Sequence, residues 1–192
     1  MRLSSRRGFT LVELLVVISV IGILAALTLG TGSFVQNKAA HSRAQGEVAA
    51  IDLALERYKI DNADYPEASD IGSPGDLYAA DPTSPEYRIA GERLFQALVG
   101  RKNFDQAASS SDTTQYIELK KGQTGGENKS YIQDPFKNPY GYFYDPTDTP
   151  KSLFNEVVPD FWSTSGKKTA ALKGSEEDKA HYLNWVANWP NK

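Results

Sequence analysis

The sequence predicts an α+β fold, a long N-terminal helix packed on a small antiparallel sheet. Three observations carry that reading. All ten prolines lie from Pro66 onward, so nothing before them interrupts a helix. No charged residue occurs from Leu14 to Asn37. The later half alternates aromatic and β-branched stretches with proline- and aspartate-bearing turns, the pattern of short strands.

The elements follow in chain order. Residues 1–8 form a short basic leader with Arg2, Arg6 and Arg7. Residues 9–29 are apolar and helix-forming. As a helix they extend about 31 Å, close to the ~30 Å hydrocarbon core of a bilayer. The arginines in front predict a cytoplasmic N-terminus and an exported C-terminal part. One carboxylate, Glu13, interrupts the apolar run. At mid-bilayer it would cost roughly 2.5–3.5 kcal/mol, and less near the interface. A secretory signal peptide cut near Ala25-Ala26, or a plain signal anchor, accounts for the apolar run but leaves Glu13 unexplained.

Residues 30–60 continue the helix as a stalk. Val48, Ile51, Leu55 and Tyr58 share one face, the spacing of a stripe packed on a sheet. Gly22, Gly30, Gly32 and Gly46 are weak points, each costing about 1 kcal/mol relative to alanine. Alternatively they permit close helix packing, as small residues do in membranes. The helix ends near Asp61-Asn62, and Tyr65 is extended because Pro66 follows it.

Residues 61–192 form the exported head. Ser84-Pro85 starts a second helix, Ala90, Leu94, Ala97 and Leu98 give it helical spacing, and Gly100 stops it. Residues 107–115 and 120–130 read as polar surface loops flanking a short strand at 116–119. Residues 140–144, 152–158 and 161–165 read as further strands, giving three or four in all.

Composition excludes several functions. The net charge is −3, and removing the three leader arginines leaves 18 basic against 24 acidic residues. That balance argues against nucleic-acid binding, which needs a basic face. No cysteine is present, so disulfides and thiolate chemistry are excluded. The two histidines, His41 and His181, are far apart in sequence and read as solvated surface residues. Ser165-Gly166-Lys167-Lys168 lacks the glycine spacing of a phosphate loop. Trp162, Trp185 and Trp189, with Tyr182, read as core or loop-pinning aromatics rather than a binding groove. No catalytic residue and no enzyme activity is expected.

The segment Arg6-Arg7-Gly8-Phe9-Thr10-Leu11-Val12-Glu13-Leu14-Leu15 resembles the processing motif of type IV pilin-like proteins, the prepilin superfamily. The resemblance implies cleavage between Gly8 and Phe9 by a prepilin peptidase, followed by methylation of the new Phe9 amine. Glycine before the cut offers no side chain to obstruct the peptidase. The resemblance also implies that Glu13 engages the N-terminal amine of a neighbouring subunit during assembly, neutralising two charges that are costly in lipid. Phe9 and Glu13 lie four apart, so pairing within one chain remains open. Related filaments lose helical structure on assembly, and Gly22 to Gly32 is where that is expected here.

Within the head, Asp61 to Pro66, Leu94 to Val99, Asp134 to Tyr142, Asp160 to Gly166 and Asn184-Trp185 resemble, in order, parts of the major pseudopilin of type II secretion. That resemblance implies a structural subunit of a pseudopilus that drives protein secretion. Its expected partners are copies of itself, the prepilin peptidase, an inner-membrane assembly platform and minor pseudopilins. Its expected place is the bacterial inner membrane, single-pass, with head and filament in the periplasm. A surface type IV or competence pilin is the alternative, and a membrane-anchored binding protein that never assembles is a second. No cofactor is expected, apart from the calcium that braces the last loop in the resembling family. Lys167 and Lys168 stand where that family's motif usually carries an aspartate after the glycine. Ser163, Ser165, Glu176, Glu177 and Asp178 remain as oxygen donors, and no metal ligand is assigned.

Overall fold

Helix α1 spans Leu11–Asn62, 52 residues without a break. The structure, a computed structural model, describes residues 8–68, 81–101, 114–148, 152, 154–166 and 185–189, leaving aside the side chains of 27–33 and 86. The expected loop 107–115 therefore falls largely outside the described residues. The chain divides into two units, Met1–Ala39 and Ala40–Lys192, both drawing on α1.

In the N-terminal unit the described apolar side chains of α1 are exposed on every side, from Leu11 through Leu24. Ser19 satisfies its hydroxyl within the helix, donating to the Leu15 carbonyl at 2.8 Å. Among the described residues no helix is long and apolar enough to cross a membrane. The described side chains of this run stop at Ala26, inside the expected 9–29 segment.

In the second unit α1 presents Ala44, Val48, Ile51, Ala54 and Leu55 to the core, with Tyr58 partly buried beside them. This is the stripe the sequence predicts. Its end is marked by Ala63, which takes a left-handed φ of 67°. Helix α2 spans Pro85–Val99. Its first turn is capped by Ser84, whose Oγ accepts from the Tyr87 amide at 3.3 Å. Gly100 closes it at φ 70°, donating its amide to the Gln96 carbonyl. Ala90, Leu94, Phe95 and Leu98 face the core.

Among the described residues five short strands follow: β1 Thr124–Gly125, β2 Tyr131–Ile132, β3 Gly141–Phe143, β4 Asp160–Ser163 and β5 Val186–Ala187. β1 and β2 form an antiparallel ribbon, and the main sheet is antiparallel in the order β3-β4-β5. In its register Gly141 faces Trp162, and Trp162 faces Ala187. α2 packs on β2 and β3. Every residue of β3 and β4 is buried, as expected of strands covered on both faces. The α+β class is confirmed.

Three strand and loop expectations need correction. Residues 116–119 are not a strand, because the amides of Tyr116 and Ile117 donate to the Leu98 carbonyl at the end of α2 instead of to a ladder. Residues 120–130 are more than a loop: a 3₁₀ turn at Lys121–Gln123 leads into β1. The described residues of 152–158, which are 152 and 154–158, are also not a strand. The Asp160 carboxylate draws in the amides of Phe154 at 2.8 Å and Asn155 at 3.0 Å, curling the segment, and Glu156 turns at φ 63°.

Tyrosine–carboxylate pairs tie α1 and its exit to the rest of the head. Tyr140 donates to Glu47 at 2.7 Å, Tyr65 to Glu56 at 2.6 Å and Tyr144 to Asp64 at 2.6 Å. Each hydroxyl is held protonated, with burial and the neighbouring carboxylate raising its pKa. Tyr142, fully buried, donates to the Pro66 carbonyl at 2.6 Å.

Candidate processing and assembly site

The three predicted site residues lie within six positions at the start of α1, and all are exposed. A Cβ added at Gly8 would meet nothing within 4 Å. Among the described residues, packing therefore places no demand for glycine there. Phe9 is 82% exposed, an apolar ring left uncovered among the described residues.

Glu13 has a local role that its isolated charge does not suggest. Thr10 precedes the first helical residue, and Glu13 is the third residue of the helix. The Thr10 amide and Oγ1 both donate to Glu13 Oε2 at 2.8 Å, and the Glu13 amide points back to Thr10 Oγ1 at 3.3 Å. This is a reciprocal capping box, which satisfies amides that a helix start leaves without intrahelical partners. A carboxylate in the first turn is also favoured by the helix dipole. Glu13 Oε1 has no hydrogen-bond partner among the described residues. The sequence reading missed Thr10, although the signal is plain in Thr10-Leu11-Val12-Glu13, a Thr-x-x-Glu ahead of an apolar run.

Around this polar start lie Leu11, Val12, Leu14, Leu15, Val16, Val17 and Ile18, each at least 50% exposed. A helix apolar on all sides is stable only when lipid or other helices surround it. The geometry is thus an uncovered apolar rod whose first turn carries one fixed carboxylate.

Residues 3–29 match the family model described as the prokaryotic N-terminal methylation motif. Among curated proteins, the type II secretion system core protein G of Aeromonas hydrophila is 30% identical over 133 residues, covering 69% of each chain. The chain belongs to the type II secretion system core protein G family. The core protein G of Klebsiella michiganensis is 42% identical over 34% of this chain, and that of Vibrio cholerae is 34% identical over 45%. These matches take in 46% and 58% of those two relatives, so the chain spans about half the length of several curated relatives it matches. No solved structure gives a significant match.

Elsewhere the described polar groups of the head include several that bond within the fold. Among the described residues no group of three or more histidine, cysteine or acidic side chains is placed to hold a metal. His41 is half-buried on α1, and His181 lies outside the described residues. Trp162, Trp185 and Trp189 are buried, as the core reading expects, while Tyr182 lies outside the described residues. Asp134 is the notable buried acid. Its Oδ1 accepts from the amides of Phe136 at 3.0 Å and Asn138 at 2.8 Å, and its Oδ2 accepts from Ser163 Oγ at 2.6 Å. Burial pushes it up to about 6 despite these bonds, which pull the other way. It staples the turn before β3 to the end of β4.

Proposed function

We propose that this chain is a structural, non-enzymatic subunit of a type II secretion pseudopilus. In this reading residues 1–8 are removed as a leader, 9–29 anchor the subunit in the inner membrane, 30–60 form the stalk and 61–192 the periplasmic head. A prepilin peptidase hydrolyses the Gly8–Phe9 bond, leaving a carboxylate on Gly8 and an amine on Phe9 that is then methylated. The Glu13 carboxylate receives the amine of a neighbouring subunit, and the filament grows from the membrane to move secreted proteins. Copies of the same chain, minor pseudopilins and an inner-membrane assembly platform are the partners.

One observation carries the reading most: the all-round exposed apolar start of α1, opening on a single capped carboxylate. Lipid can cover such a rod before assembly, and neighbouring helices can cover it afterwards. Glu13 Oε1, without a partner among the described residues, leaves room for an incoming amine without dismantling the cap.

The capping box dictates how this is tested. Glu13→Ala removes cap and charge together. Glu13→Gln keeps a capping-box partner at the third helical position but removes the charge. Assembly requires the charge if Glu13→Gln abolishes filaments and secretion as fully as Glu13→Ala. Filaments at wild-type level from Glu13→Gln would show that Glu13 acts only as a helix cap, and the assembly role would be withdrawn.

A further inference from the structure

In the family this head resembles, a calcium ion braces the last loop, but the described donors near that loop do not fit one. Calcium takes six to eight oxygens, carboxylates among them. Among the described residues the nearby carboxylates already accept hydrogen bonds: Asp134 from two amides and Ser163, Asp160 from Phe154 and Asn155, and Asp52 from Asn188, while Glu176, Glu177 and Asp178 lie outside the described residues. Ser163 Oγ is engaged by Asp134 and by the Ser165 amide at 3.1 Å. Thr164 Oγ1 and Ser165 Oγ are buried without a hydrogen-bond partner, yet both are neutral and balance no cation charge. Lys167 and Lys168 follow directly.

Something other than β5 must hold the chain's end, because a two-residue strand pairs too few groups to be stable alone. The residues around it supply a fastening. Trp162 and Trp185 stack with ring centres 5.9 Å apart and planes 5° from parallel. Trp189 lies 5.7 Å from Trp162 on a tilt and stacks on Phe154 at 4.4 Å and 11°. All three tryptophans are 6% exposed or less. Such pairs add attraction beyond the area they bury.

Asn188, between these aromatics, uses its whole side-chain amide. Its Nδ2 donates to Asp52 Oδ1 at 3.1 Å and to the Pro159 carbonyl at 2.9 Å. Its Oδ1 accepts from the Phe161 amide at 3.0 Å and from Asn155 Nδ2 at 3.1 Å. Two donors and two lone pairs are all an amide side chain offers. One residue thereby joins α1, the segment before β4, β4 itself and the chain end.

We propose that the C-terminal segment of this protein is locked by a metal-independent clamp, the stacked tryptophans with Phe154 and the Asn188 amide. The clamp takes over the bracing that calcium gives in the resembling family. It stands apart from the assembly reading, since it concerns only the head.

The test uses the full chain in detergent, followed by thermal melting and by the near-ultraviolet circular dichroism of the stacked indoles. In excess EDTA and in millimolar calcium chloride, both the melting temperature and the indole bands are expected to coincide. A saturable rise in melting temperature with calcium would overturn the proposal, whether the ligands came from Glu176, Glu177, Asp178 or elsewhere. Asn188→Ala is expected to lower the melting temperature by several degrees equally in both conditions. Trp189→Phe, a milder change, is expected to keep the fold while weakening the indole bands. Wild-type melting of Asn188→Ala, unaltered bands in Trp189→Phe, or recovery of either variant by calcium would each refute the clamp.

Discussion

Replacing Gly141 by alanine should damage the head more than its single methyl suggests. Gly141 faces Trp162 across β3 and β4, and an added Cβ would collide with indole atoms Cε2 and Cζ2 and stand 2.5 Å from Tyr87 Oη. Neither neighbour has room to yield. Tyr87 and Trp162 are fully buried and meet edge to face at 5.9 Å, while Trp162 is held by Trp185 and Trp189. Overpacking a well-filled core costs about 1–3 kcal/mol, and rigid ring walls place this site at the upper end, near ~3 kcal/mol. For a unit of this size each kcal/mol moves the melting point by roughly 2–4 °C, so a fall of roughly 6–12 °C is expected. Calorimetry of the full chain in detergent reads it directly. Gly46→Ala is the control: that Cβ meets nothing within 4 Å on α1, and better helix propensity should hold or raise stability by up to ~1 kcal/mol. Trp162→Phe removes the two indole atoms that collide, so the double variant should lose clearly less than the two single losses added together. A Gly141→Ala melting point within about 2 °C of wild type, on that same scale, would refute the packing argument.

Three further outcomes follow from the same structure. Asp134 has a folded pKa of about 6, above its ordinary carboxylate value, so the folded state binds more protons than the unfolded between about pH 4 and 6. Its contribution to stability is therefore greatest below pH 4 and declines as pH rises to 6, by up to ~3 kcal/mol at ~1.4 kcal/mol per unit. Urea titrations across that range should show the slope in wild type and a flatter one in Asp134→Asn; parallel slopes would count against it. Ser84→Ala removes the α2 cap and should cost about 1 kcal/mol in the same titrations, whereas no loss would mean that solvent serves the Tyr87 amide equally well. Thr10→Ala breaks the capping box from the other side while leaving the Glu13 charge. It should fray the first turn, seen as faster amide exchange at residues 11–13; unchanged exchange would show that the box holds nothing.

The helices were legible because their signals are local. Ser84, Pro85 and Gly100 bracket α2 as their chemistry dictates, and the Val48–Ile51–Leu55 stripe names the buried face of α1. The short strands were less so, because tertiary partners outbid local pattern. Tyr116-Ile117-Glu118-Leu119 alternates like a strand, yet its amides go to Leu98. The run before Val158 is rich in strand formers, yet the carboxylate of Asp160 bends it. The β1–β2 ribbon is too short and polar to leave a period. At the candidate site the sequence singled out Gly8, Phe9 and Glu13, but the charge of Glu13 drew attention from its neighbour. Only the geometry pairs it with Thr10. The Asn188 hub was illegible for a different reason: its four partners are scattered from residue 52 to residue 161.

The central claim is that this chain is cut and methylated at the start of α1 before it assembles. Mass spectrometry of the mature protein's N-terminal peptide tests it most directly. The account predicts a chain beginning at Phe9 with one methyl group on its amine. A chain retaining Met1 through Gly8, or one beginning near Ala26, would contradict it.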